Sequence, residues 1–302
     1  MKVILDPKAG ICGGVRRTIQ LVEKELSRED DQEVFVVGDI IHNEREIERL
    51  EQDGLKTLIP RFLDDLTNHD SIPNGKSTVL IRAHGEPPRT FKELDLLGVD
   101  VIDGTCPVVT RSQDLAREHL LKGYQVAVVG KHGHPEMIGI LGHTDNKAVC
   151  IQSEEDIAKL QPDTLTLIMA QTTIGSGMFA QMVEKIKEHV GKIEIRNTIC
   201  RFVLNRNIKL PNFTSEADVI LVVGGKKSSN TNMLYRTCLA INPRSYHVVS
   251  PNEIEREWFI GSNSIGITGS ASTPIWLLHE FEETLNRWIK AGWPENAVEF
   301  DV

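Results

Sequence analysis

Cys12, Cys106 and Cys200 are 94 residues apart and then 94 again. Each follows a β-rich stretch at a strand-to-loop junction, in GICGG, GTCPVV and NTICRF. That spacing predicts three copies of one unit, each bringing a single thiolate to a common centre. A [4Fe-4S] cluster takes four ligands, so three cysteines would leave one iron not ligated by cysteine and open to a substrate oxygen as a Lewis acid. Such turns also bring a thiolate close to backbone amides and to a helix N-terminus, which favours an anionic ligand. No CxxC pair supports a structural zinc, and no single loop gathers the three cysteines that S-adenosylmethionine-cleaving radical enzymes use. Cys150 in KAVCIQ and Cys238 in RTCLAI read as small buried hydrophobes.

Other polar residues recur on the same frame. VFVVG leads to His42-Asn43, VAVVG to His134, and VILVVG to Ser228-Ser229-Asn230. A second run in each copy leads to His84 in LIRAHG, Thr172 in LIMAQTT and Ser272 in GITGSAS. Hydroxyls, amides and imidazoles with few fixed cations suit a diphosphate held by hydrogen bonds. Gly133-His134-Pro135-Glu136 sets an imidazole and a carboxylate two residues apart in a loop, unlike the HExxH zinc helix. His134 can donate to an anion and Glu136 can hold a proton, although a lone loop histidine is also commonly structural. His132 and His143 beside it read as solvent-facing or packing residues. GGKKSSN lacks the first glycine of GxxxxGK[ST] at the required spacing, so it is not read as a nucleoside triphosphate loop.

The elements that would carry these residues are short Val/Ile/Leu runs bounded by glycine, alternating with amphipathic stretches at Gly14–Leu26, Pro107–Lys122 and Trp276–Ile289. Such a pattern predicts parallel strands buried on both faces by helices. Ligands of open α/β sheets sit beyond the carboxyl ends of the strands, where all the repeated polar positions fall. The expected division is a first α/β unit at 1–105 with the N-terminal strand and Cys12, a second at 106–199 with Cys106, a third at 200–282 with Cys200, and a helix end and tail at 283–302.

The chain of 302 residues is 40% hydrophobic and 25% charged, the composition of a soluble globular protein. No apolar run approaches the roughly 18 residues of a membrane span, and MKVILDPKAG is too short in apolar residues for a secretory signal. A cytoplasmic location without membrane insertion is expected. A net charge of −9 without a compensating basic run argues against nucleic acid as a partner. Five cysteines without short-range pairing do not suggest a disulfide framework.

Taken in order, GICGGV, IIHNE, RAHGE, DGTCPVV, GHPE, QTT, NTIC, GGKKSSNT and GSASTP closely resemble the 4-hydroxy-3-methylbut-2-enyl diphosphate reductases, the IspH/LytB family of the non-mevalonate isoprenoid pathway. The resemblance runs over nearly the whole chain. It implies a trefoil of three pseudo-threefold-related α/β domains around a central iron-sulfur cluster. It also implies that Cys12, Cys106 and Cys200 hold that cluster. His42, His84, His134, Ser228, Ser229, Asn230 and Ser272 would bind the diphosphate, Glu136 would feed protons, and Thr172 would position the substrate hydroxyl. The implied reaction is loss of the allylic hydroxyl with two electrons and two protons, giving isopentenyl and dimethylallyl diphosphates, with a small carrier such as ferredoxin or flavodoxin as electron donor. The chain departs from many relatives in carrying Val203 and Leu204 where they have hydroxyl residues, and Pro211 is expected to interrupt the helix after Cys200. Two rival readings are a non-redox iron-sulfur hydro-lyase acting on a small phosphorylated alcohol, and a metal-stapled module without catalysis.

Overall fold

The computed structural model describes residues 1–29, 32–59 and 75–293. Strand β1 (Lys2–Leu5) and helix α1 (Gly13–Leu26) open the chain. Next come β2 (Glu33–Val37), α2 (Glu44–Gln52), β3 (Lys56–Leu58), β4 (Ser77–Ile81), α3 (Pro88–Leu97) and β5 (Asp100–Asp103). The middle of the chain forms α4 (Pro107–Leu121), β6 (Gln125–Val129), α5 (Pro135–Gly142), β7 (Val149–Ile151), α6 (Glu154–Ile157), β8 (Thr166–Ala170), α7 (Ser176–His189) and β9 (Ile193–Arg196). The last part holds α8 (Arg201–Ser215), β10 (Val219–Val223), α9 (Ser229–Ile241), β11 (Ser245–Val248), β12 (Ser264–Gly269) and α10 (Ile275–Ala291).

Among the described residues the strands form three four-stranded sheets, ordered β3-β2-β4-β5, β7-β6-β8-β9 and β1-β12-β10-β11, with every pairing parallel. The three share one topology. In each, the first strand of the set lies between the second and the third, and the fourth lies outside the third. In the last sheet that fourth place belongs to β1. The division by sequence grouped β1 with residues 1–105, whereas its hydrogen bonds place it beside β12, with Val3 opposite Ile265 and Leu5 opposite Ile267.

The reason lies in the alternation of side chains along a strand. Val3 and Leu5 face the cluster of Leu221, Ile267, Leu277 and Phe281 under α10, while Ile4 joins Leu210, Phe213, Ile220 and Leu234 under α8 and α9. A strand apolar on both sides belongs in a sheet covered on both sides. Strands β4, β8 and β10 are buried at every residue, as the continuous Val/Ile/Leu runs predict.

The predicted helices are present as α1, α4 and α10, with ends shifted by one or two residues. Pro211 does not interrupt α8, which runs on to Ser215. Proline removes one amide from the helical ladder, and the burial of Leu210 and Phe213 on either side holds the helix across the gap. Of the expected tail, residues 294–302 lie outside the described residues. No helix among the described residues is long and apolar enough to cross a membrane.

The chain forms two compact units: one of Met1–Gly13, Ile41–Arg49 and Arg201–Val302, the other of Gly14–Ile40 and Leu50–Cys200.

Candidate active site

The common topology gives the repeated residues equivalent places. Cys106, Cys200 and Cys12 each follow the fourth strand of a sheet (β5, β9 and β1) and immediately precede a helix (α4, α8 and α1). His42, His134 and Ser228 follow the first strands, and His84, Thr172 and Ser272 follow the third. All three of these cysteines are partly exposed, and none of the five cysteines forms a disulfide. Cys106 is the N-cap of α4, and none of α1, α4 or α8 has an acidic residue in its first turn. Helix starts usually favour acidic residues, so this absence suits thiolates that must share the site with other negative groups. Cys150 and Cys238 differ. Both are buried, their sulfurs lie 3.7 Å from the Gly130 carbonyl and 3.4 Å from the Thr214 hydroxyl, and burial raises their thiol pKa values to about 11.

In the unit of Gly14–Ile40 and Leu50–Cys200, Glu136 is the central group. Its side chain is 1% exposed on the first turn of α5. Oε1 accepts the Thr172 amide and Oε2 the Thr172 hydroxyl, each at 2.7 Å. Burial raises its pKa to about 7, because an ionised carboxylate loses more hydration than these two hydrogen bonds return. Pro135 sets the start of α5, where His134 is the N-cap and its Nδ1 accepts the Glu136 amide at 3.2 Å. A neutral His134 ring therefore carries its proton on Nε2. The ring meets His84 edge-on, with centroids 5.5 Å apart. The Thr172 carbonyl accepts the Cys200 amide at 2.9 Å, and the Ala83 carbonyl accepts the Cys106 amide at 3.0 Å. Each cysteine loop is thus fastened beside a third-strand residue of its own sheet.

In the other unit, the loops after β10 and β12 form a hydroxyl network. Ser228 Oγ lies 3.3 Å from Ser272 Oγ, which lies 3.0 Å from Ser270 Oγ, and Thr231 donates to Ser270 at 2.8 Å. Thr273 Oγ1 donates to the Val223 carbonyl at 2.7 Å. Ser272 Oγ also reaches the His42 carbonyl at 3.5 Å, and the Cys12 amide donates to the Ala271 carbonyl at 3.1 Å. Ser228 is the N-cap of α9, its side chain accepting the Thr231 amide, with Ser229 and Asn230 on the first turn. Asn230 is 4% exposed, yet neither its amide nitrogen nor its carbonyl oxygen has a hydrogen-bond partner among the described residues. An unsatisfied buried amide is costly and marks a place where a polar ligand would bind. Gly225 is also fixed by space, since a methyl group there would collide with the His42 carbonyl.

Lys226 in this loop pairs with Glu253 at 2.9 Å and donates to the His247 carbonyl. His132 pairs with Asp156, and His143 contacts the Gly139 carbonyl, both structural contacts.

Sequence reasoning reads Ser270–Pro274 as a surface able to cradle a phosphate, which covers Ser270 and Thr273, but it did not single out Thr231, although that residue closes the quoted GGKKSSNT. It also missed a buried ion pair. Arg206 on α8 donates through Nη2 to Asp6 Oδ2, to Thr268 Oγ1 and, at 3.4 Å, to the Gly269 carbonyl. Asp6 and Arg206 are 200 residues apart, and no local signal links them.

The sequence matches the family described as LytB protein over residues 3–286. It is 37% identical over 297 residues to 4-hydroxy-3-methylbut-2-enyl diphosphate reductase of Bacteroides fragilis, covering 96% of this chain and 99% of the relative. It is equally similar, over 328 residues, to the enzyme of that name from Prosthecochloris aestuarii, covering 94% and 98%. A solved structure of (E)-4-hydroxy-3-methyl-but-2-enyl diphosphate reductase, the terminal enzyme of the non-mevalonate pathway, superposes with a TM-score of 0.70 at 33% identity, covering 95% of this chain and all of the other. The structure of E-1-hydroxy-2-methyl-but-2-enyl-4-diphosphate reductase from Plasmodium falciparum, 23% identical, shares the fold with a TM-score of 0.84, covering 100% of this chain and 95% of the other. The shared topology, the matched length and the curated relatives agree: this chain belongs to the LytB family.

Proposed function

We propose that the chain removes the allylic hydroxyl of 4-hydroxy-3-methylbut-2-enyl diphosphate with two electrons and two protons, yielding isopentenyl and dimethylallyl diphosphates and water. Membership of a family whose curated members are named as this reductase supports the reaction and favours it over the hydro-lyase reading. The observation that carries the chemistry is the buried Glu136 with its pKa near 7, both carboxyl oxygens engaged by Thr172.

Cys12, Cys106 and Cys200 would hold a [4Fe-4S] cluster with one iron not ligated by cysteine. The donor set fits: these three thiols sit partly exposed ahead of helices without acidic first turns, whereas Cys150 and Cys238 are buried and remain protonated. Such a cluster supplies electrons and a Lewis-acidic iron for the substrate oxygen. His42, His84, His134, Ser228, Ser229, Asn230 and Ser272 bind the diphosphate, with the amide of Asn230 gaining the partners it otherwise lacks. Neutral donors suit this task, since they compensate the anion without adding fixed charge beside the cysteines.

Glu136 supplies a proton because hydroxide is a poor leaving group. When protonated on Oε2 it donates to Thr172 Oγ1, and the Thr172 hydroxyl hydrogen turns outward toward the substrate hydroxyl. The two side chains thus pass a proton from a buried acid to the leaving oxygen. A reduced, thiol-preserving compartment such as the cytoplasm suits this chemistry.

The test is anaerobic purification, iron and sulfide analysis, and turnover with a chemical reductant. Iron with matching sulfide and reductant-dependent loss of the hydroxyl is the expected result. Turnover without reductant would establish the hydro-lyase instead, and zinc without sulfide the structural module.

A further inference from the structure

We propose that Gln113, with the pair Asp103–Thr105, forms the route by which Glu136 regains its proton between turnovers. This deepens the reductase reading and rests on it, because that reaction takes up two protons each time. Glu136 is 1% exposed and holds both carboxyl oxygens on Thr172, so its proton must be returned through the protein. All the residues concerned belong to the unit of Gly14–Ile40 and Leu50–Cys200.

A buried amide carries the inference. Gln113 on α4 is 3% exposed, and its Nε2 has no hydrogen-bond partner among the described residues. An unsatisfied buried donor costs stability, so an apolar side chain of the same length would serve packing better. Its surroundings show what else it serves. A methyl group on Gly85, the residue after His84, would lie 2.6 Å from this Nε2 and 3.4 Å from Thr105 Oγ1, and a methyl group on Gly139 would lie 2.9 Å from the same Nε2. The amide thus stands where the His84 turn and the Thr105 loop meet α5, one helical turn after Glu136. Internal waters bind at such otherwise unsatisfied polar groups.

The outer end of the route is Asp103, which is exposed and lines an open cleft. Its Oδ1 accepts the amide of the buried Thr105 at 2.9 Å and the Thr105 hydroxyl. Asp103–Thr105 at the surface therefore repeats Glu136–Thr172 in the interior, a carboxyl group on a threonine hydroxyl, with the Gln113 amide between them. An amide does not relay protons, but its N–H can hold a water that does. Asp103, protonated from solvent, gives its proton to Thr105 Oγ1 while the Thr105 hydroxyl hydrogen passes to this water, and the water gives a proton to the Glu136 carboxylate. Each O–H bond broken is matched by one formed. One solvent proton reaches Glu136, and no electron moves.

The test uses the anaerobically purified protein with reduced methyl viologen as donor, at pH 6, where a Glu136 carboxyl with its pKa near 7 is mostly protonated at the start. Gln113→Met keeps the length of the side chain and removes its N–H groups. It should hold its iron and unfold at the wild-type temperature or above, since an unsatisfied donor is gone. Loss of the substrate hydroxyl in the first turnover should stay within about twofold of the wild type, while steady-state turnover falls at least about tenfold and shows a larger solvent deuterium isotope effect. Asp103→Asn, at an exposed position, should show the same split. Unchanged steady-state turnover in either variant would overturn the route, and so would a first turnover slowed as much as the later ones. A lower unfolding temperature accompanying the slowing in Gln113→Met would also overturn it, because that is the result of a packing role. Should Gln113→Met lose iron, Asp103→Asn decides alone. A wild-type protein inactive with methyl viologen would overturn the reductase reading, and the route with it.

Discussion

Glu136 gives the sharpest consequences at the scale of single residues. Glu136→Gln keeps the shape and still accepts the Thr172 amide, but it cannot release a proton. Single-turnover product formation under anaerobic conditions should slow at least about a hundredfold, with iron content and substrate binding retained. A near-normal rate would remove Glu136 from the reaction. The same residue affects stability with a definite sign. Its folded pKa, about 7, lies above the ordinary 4.5, so its favourable contribution is complete below pH 4.5 and is lost as the pH rises through 7. Denaturant titrations at pH 5 and pH 8 should therefore show the wild type losing on the order of 3 kcal/mol relative to Glu136→Gln at the higher pH. Equal pH dependence of the two proteins would show that Glu136 does not titrate in this range. Among the cysteines, Cys12→Ser, Cys106→Ser or Cys200→Ser should each abolish activity and greatly reduce bound iron, a hydroxyl being a harder and less acidic ligand. Cys150→Ser and Cys238→Ser should keep their iron. Full iron content and activity in Cys106→Ser would end the three-ligand proposal.

Between elements, Arg206 joins three pieces of chain: α8, the end of β12 and the turn after β1. Those pieces lead to the Ser270–Thr273 loop and to Cys12, whose amide is held by Ala271. Both partners are 3% exposed, so removing one leaves the other charge buried without its counterion. Arg206→Met should cost about 3 to 5 kcal/mol, and adding Asp6→Leu should restore part of that loss. A double-mutant cycle in urea checks this, and strictly additive effects would show that the pair is not coupled. This contact also marks a limit of reading the chain by eye. The Val/Ile/Leu runs announced the buried strands and the amphipathic periods announced α1, α4 and α10, because those signals are local. The place of β1 beside β12 and the Asp6–Arg206 pair depend on residues some 200 or more positions away, which no local pattern encodes. Pro211 misled for a related reason: its local cost was visible, whereas the core contacts of Leu210 and Phe213 were not.

At the scale of the molecule, one four-stranded topology occurs three times among the described residues, with different polar residues at equivalent strand ends. Repetition made the candidate positions legible in the sequence, while divergence hid which of them lack partners. The isolation of Asn230 could be seen only once α9 and the loop after β12 had been placed. Its consequence is a difference between ligands that share every atom except the diphosphate. An alcohol lacking that group would leave the buried Asn230 amide without a partner, at roughly 1 to 3 kcal/mol for each unsatisfied group. A ligand that binds only the folded state raises stability by an amount set by its concentration over its Kd, about 2.7 kcal/mol at a hundredfold excess. Substrate diphosphate should therefore raise the unfolding temperature of the anaerobic protein, and the free alcohol at the same concentration should not. Asn230→Ala should lose much of the shift produced by the diphosphate while unfolding near the wild-type temperature without ligand, because the side chain contributes no hydrogen bonds to the unliganded fold. Equal shifts from alcohol and diphosphate, or an undiminished shift in Asn230→Ala, would move the diphosphate away from this hydroxyl network and leave the buried amide unexplained.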